Sequence, residues 1–165
     1  MRVIGVDSSG IVGQPPVFIV AARLRFRNRG IDYNSQEHHI IRLDTKLHDT
    51  FKGVDREWRL KLSAVLIYSV VIRLIDAGDV VDIDIDFNPS DEKKVTRYLK
   101  RLFFNYYRET AFENPRIDFK SIKDSQYIQI ADNKSKQARK HEIGPTEDAS
   151  EKELTERFNI LRKIK

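Results

Sequence analysis

Acidic side chains set among apolar ones are the first residues of chemical interest, because an ionised carboxylate is costly to bury unless something compensates it. Asp7 follows an apolar run that carries Val3, Ile4 and Val6. Asp82, Asp84 and Asp86 alternate with Val81, Ile83, Ile85 and Phe87, Glu57 opens a long apolar segment, and Asp132 follows Ile128, Ile130 and Ala131. Converging carboxylates suit hard cations such as Mg2+ or Mn2+, and two such ions about 3.5–4 Å apart activate water and stabilise a leaving oxygen in phosphodiester hydrolysis. Each residue also has an ordinary use. Asp7 before Ser8-Ser9-Gly10 suits a turn, alternating aspartates suit the wet face of an edge strand, and Glu57 suits a helix dipole.

The elements that must position these groups follow from hydrophobic period. Residues 1–6, 17–26 and 38–43 read as three strands of an antiparallel meander. Over residues 54–77 the period becomes helical, with Trp58, Leu62, Val65, Leu66, Ser69 and Ile72 in phase and Gly78 as the stop. Residues 80–87 alternate strictly and read as strand four. Asn88-Pro89 then starts a helix whose apolar stripe is Val95, Tyr98, Leu99, Leu102, Phe103 and Tyr106. A short strand over 117–122 precedes a helix over 127–138, capped by Asp124 or Ser125. Gly144-Pro145 breaks it, and the capping box Ser150 to Glu153 opens a last amphipathic helix with Leu154, Phe158 and Leu161. This order predicts an α/β fold, a mixed sheet covered by helices.

Asp7-Ser8-Ser9-Gly10 on strand one, a hairpin, a helix with an early Glu57, a strand ending at Asp86-Phe87 and a late helical aspartate resemble, in that order, the ribonuclease H-like superfamily. Gln129-Ile130-Ala131-Asp132 also resembles a Gln-x-Ala-Asp helix of a broad, uncharacterised prokaryotic family of that fold. The resemblance implies a mixed five-stranded sheet with helices on both faces, in which strands one and four are neighbours and their aspartates share metals. It implies that Asp7 bridges two ions, that Asp86 or its face-mate Asp84 joins it, that Glu57 reaches in from its helix, and that Asp132 holds the second ion. The domain spans residues 1–140, and residues 141–165 form a linker and an extra C-terminal helix that packs on the domain or on a partner, as in an oligomer. The implied activity is a Mg2+- or Mn2+-dependent nuclease acting on RNA, DNA or a hybrid. The alternative is a catalytically silent nucleic-acid-binding or scaffold module. Ile4 to Gly10 also looks like the phosphate loop of actin-like phosphotransferases, but 165 residues are too few for two such domains.

Charge and composition bound the partners. The net charge is +5, from 30 Lys+Arg against 25 Asp+Glu, which is compatible with a polyanion. Lys93, Arg97, Lys100 and Arg101 on the second helix, with Lys136 and Lys140 on the third, are the expected nucleic-acid contacts. No cysteine is present, which excludes disulfide and zinc-ribbon scaffolds. The longest apolar stretch, residues 62–75, carries Arg73 and falls short of the roughly 20 residues that span a bilayer. With no apolar leader at the start, the expectation is a cytoplasmic chain with no membrane partner. His38, His39, His48 and His141 lack metal-binding spacing and read as solvated.

Overall fold

A computed structural model describes residues 2–27, 30–76, 78–107 and 114–162. Its elements are β1 (Val3–Ile11), β2 (Gln14–Arg27), β3 (Gly30–Leu43), α1 (Thr45–Phe51), α2 (Trp58–Val71), β4 (Val80–Asp84), α3 (Pro89–Tyr107), β5 (Arg116–Phe119), α4 (Gln126–Arg139), β6 (Glu147–Asp148) and α5 (Glu151–Arg162). They build an α/β molecule around one mixed six-stranded sheet of order β5-β4-β1-β2-β3-β6. β1, β2 and β3 pair antiparallel, whereas β4 lies parallel to both β1 and β5. The expected count of five strands is corrected to six. The sixth, β6, is a two-residue strand parallel to β3, opposite Ile41 and Arg42.

Alternation on the strands divides the interior into two layers. Ile4 and Val6 of β1, Val17, Ile19 and Ala21 of β2, and Val81 and Ile83 of β4 face α2, α3 and α5 in the main core. α2 is buried almost all round, from Lys61 to Val71, because it lies between the sheet and the other helices. Leu154, Phe158 and Leu161 of α5 close the same core. The opposite face carries Phe18, Val20 and Ala22 of β2 and Ile40 of β3, covered by Ala131 and Ala138 of α4. α4 lies very close to β1: a Cβ built on Gly5 would stand 2.2 Å from the carbonyl carbon of Tyr127. Only glycine admits that approach. Among the described residues, no helix is long and apolar enough to cross a membrane.

Several expected boundaries move: β3 starts at Gly30 rather than at residue 38, α2 covers Trp58–Val71 rather than 54–77, and β5 ends at Phe119 rather than at residue 122. Asp7-Ser8-Ser9 does not turn; it pairs with Val20, Ile19 and Phe18, and the β1 to β2 turn comes at Val12-Gly13. Ladder pairing with a long β2 overrides the local preference of turn-forming residues. The turn is held by His48, whose Nε2 accepts the Gly13 N–H at 2.9 Å. That imidazole is 1% exposed, so His48 is a buried structural residue and not a solvated one. β4 ends at Asp84, leaving Asp86 exposed beyond the strand. α4 begins at Ser125, whose side chain accepts from the Ile128 N–H, so Ser125 is the cap rather than Asp124.

Candidate functional site

Parallel pairing of β1 and β4 sets Asp7 directly opposite Asp84. Neighbouring strands run about 4.8 Å apart, so two carboxylates issue side by side on the face that α4 covers. From α4, Ser135 Oγ donates to Asp7 Oδ2 at 2.9 Å and also to the carbonyl of Asp132 at 3.0 Å. Asp132 lies one turn before Ser135, and its charge is felt by both Asp7 and Asp84. One layer deeper, Asp82 is 3% exposed and accepts the Ser125 hydroxyl at 2.8 Å, while its Oδ1 has no hydrogen-bond partner among the described residues and pairs with Lys120 Nζ at 3.6 Å. β4 is covered by α4 and flanked by β1 and β5, so Asp82 and Asp84 do not form the wet face of an edge strand.

Burial pushes the Asp7 carboxyl up to about 7; the Ser135 hydrogen bond opposes this and the charges of Asp132 and Asp84 add to it. Burial also raises Asp84, with Asp132 and Asp86 contributing. Lys136 answers part of this negative field: its Nζ lies 2.9 Å from Asp132 Oδ2, one turn along α4. Asp7 and Asp84 open into a groove of about 730 Å3 whose walls also include Asp86, Phe87 and Arg59, while Asp132 lies outside its lining. Arg59 stacks over Trp58, with its Cζ 5.4 Å from the ring centre.

The donor set is oxygen only, the chemistry that hard divalent cations take. Among the described residues, no group of three or more His, Cys, Asp or Glu side chains is placed to hold a metal ion. Mg2+ does not require such a group, because it commonly keeps several waters and binds through one or two carboxylates together with substrate phosphates. Asp7 and Asp84 fit that role, with Asp132 alongside.

No family model, curated protein or solved structure matches the chain.

The remaining expected residues fall elsewhere. Glu57 is the N-cap of α2 and does not line the groove; it is engaged by Lys94 Nζ at 2.8 Å and by the Tyr98 hydroxyl. These contacts, Lys94 first, hold its carboxyl below the usual range. Asp86 stands on the rim of the groove, exposed. Lys93, Arg97, Lys100 and Arg101 are exposed on α3 and Lys140 at the end of α4, none of them lining the acidic groove. Lys136 faces Asp132 instead of standing free for a phosphate. Ser135 and Arg59 escaped the sequence reading. Ser135 carries a readable signal, since three residues after Asp132 it must share that aspartate's side of the helix.

Proposed function

We propose that the chain is a divalent-metal-dependent hydrolase of phosphodiester bonds in RNA, DNA or a hybrid, working through Asp7, Asp84 and Asp132 on a ribonuclease H-like sheet. What carries this is the cross-strand register of Asp7 and Asp84, a buried and a half-buried carboxyl set side by side where α4 adds a third. Once ionised, such an arrangement opposes folding unless a cation offsets more of its charge than Lys136 does, and packing alone gains nothing from three carboxyls where apolar side chains of similar volume would serve. Mg2+ or Mn2+ held there supplies water activation and neutralises charge on the scissile phosphate. Ser135 fixes the Asp7 carboxyl through Oδ2, and the Ser8 backbone adds a second hydrogen bond to the same group. Arg59 on the opposite wall offers a guanidinium to a substrate phosphate.

The strand-four ligand proposed is Asp84 in preference to Asp86, because Asp84 and not Asp86 stands opposite Asp7. Glu57 is left out of the ligand set, since Lys94 and Tyr98 already engage it. A silent nucleic-acid-binding module is the second reading, favoured by the Lys136 ammonium pairing with Asp132.

The test is cleavage of end-labelled RNA, DNA and hybrid duplexes with Mg2+ or Mn2+, beside binding of the same strands. Wild type should cut at least one of them. Asp7→Asn and Asp84→Asn should each abolish cutting while binding stays equal or tightens, since each removes a ligand and a repulsive charge together. Binding without any cutting, unchanged in both variants, would leave only the silent module.

A further inference from the structure

On the other side of the α2 N-terminus lies a second cavity of about 480 Å3, lined by Asp55, Arg56, Glu57, Lys61, Arg97, Tyr98 and Arg162. Its two carboxylates are already matched: Asp55 by Lys61 at 2.7 Å and Glu57 by Lys94 at 2.8 Å. What remains is three guanidiniums, brought from the loop before α2, from α3 and from the end of α5, with no carboxylate partner among the described residues. Arg97 is oriented by the Tyr98 ring, its Cζ 5.5 Å from the centroid. Because a lysine already takes each of the two carboxylates, the three exposed guanidiniums leave the cavity with surplus positive charge.

We propose that this cavity is a phosphate-binding site, with Arg56, Arg97 and Arg162 as its ligands. Planar guanidinium forks match phosphate oxygens in pairs, which single ammonium groups do not. The volume is that of a small-molecule pocket. Tyr98 is only 1% exposed, so no aromatic face is offered to a base, and the site recognises phosphate groups rather than a nucleobase. Two sources share that chemistry: a free diphosphate-type anion, and the backbone of a nucleic acid. The site shares no lining residue with the acidic groove, so it stands or falls independently of the nuclease proposal.

The experiment is a calorimetric titration of the full chain with sodium diphosphate in EDTA, at fixed ionic strength, with melting temperatures recorded in parallel. Saturable binding and a raised Tm are expected. Arg97→Gln combined with Arg162→Gln should weaken affinity about tenfold or more, and Arg56→Gln, on the loop, should weaken it less but in the same direction. The loop variant keeps the test decisive should the double variant fail to fold. Displacement of diphosphate by a short single-stranded oligonucleotide would identify the backbone as the natural source, and diphosphate binding that the oligonucleotide does not disturb would identify the free anion. No binding of diphosphate by wild type, equal displacement by chloride, or undiminished affinity in the folded variants would overturn the proposal.

Discussion

Asp7 combines burial with the neighbouring charges of Asp84 and Asp132, and its titration is therefore a stability statement. Its carboxyl sits at about 7 in the folded chain against 3.8 in an unperturbed one. Between those values the folded state holds a proton that the unfolded state has lost, so stability falls as pH rises through this window and stays low above it. Asp7→Asn removes the ionisation and keeps an oxygen for the Ser135 hydroxyl. It should leave stability unchanged near pH 4 and raise it on the order of 2 kcal/mol at about pH 8, a difference read from urea melts at the two pH values. Mn2+ should raise the wild-type Tm at the higher pH and leave the Asn variant unmoved, because only a native-state ligand shifts the balance. Equal melts for both proteins at every pH would show that the Asp7 carboxyl is not strained by its surroundings.

At the scale of elements, α4 positions half of the acidic site, and Gly5 positions α4. The absent Gly5 Cβ would meet backbone atoms of Tyr127 and Ile128, at 2.2 and 2.5 Å, and backbone cannot rotate aside as a side chain can. Gly5→Ala should therefore cost about 3 kcal/mol and, by tilting Asp132 and Ser135 away from β1, should also abolish the Mn2+ stabilisation; chemical melts with and without the ion check both. α3 was legible in the sequence because Asn88 and Pro89 announce it and Asn88 caps Asp91 as such residues do. α1 was not. It buries only His48 and Phe51, too few to set a period. The opposition of Asp7 and Asp84 was half legible: alternation told which aspartates share a face, but register, set by where β1 meets β4, decides which of them faces Asp7. The partners of Glu57 were not legible at all, since no spacing within α2 says that Lys94 and Tyr98 of α3 will lie across from it.

Across the whole molecule, the α/β class followed from the order of elements, whereas the adjacency of β1 and β4 was an expectation of the resemblance, because the crossover through α2 starts from β3 and does not by itself choose β1 as the neighbour of β4. The extra strand β6 left no trace in the pattern. It is written in backbone and polar groups, the Thr146 N–H to the Ile40 carbonyl at 2.9 Å and His39 to Glu147 at 2.8 Å, within a segment that has few apolar residues. The sheet order itself governs how the molecule comes into being. β1, β2 and β3 are sequential neighbours, whereas β4 must travel past α2 to reach β1, and α4 arrives later still. Closing long loops is slow compared with zipping a hairpin. Pulse-labelled hydrogen exchange during refolding should then find amides of β2 and β3 protected before those of β4, and simultaneous protection would contradict that sequence of events. Asp7, Asp84 and Asp132 are held apart in sequence by β2, β3 and α2 and then by α3 and β5, so the β1–β4 pairing supplies two of the carboxyls and the third joins only when α4 docks: the chemistry belongs to the assembled sheet and helix rather than to any segment within them.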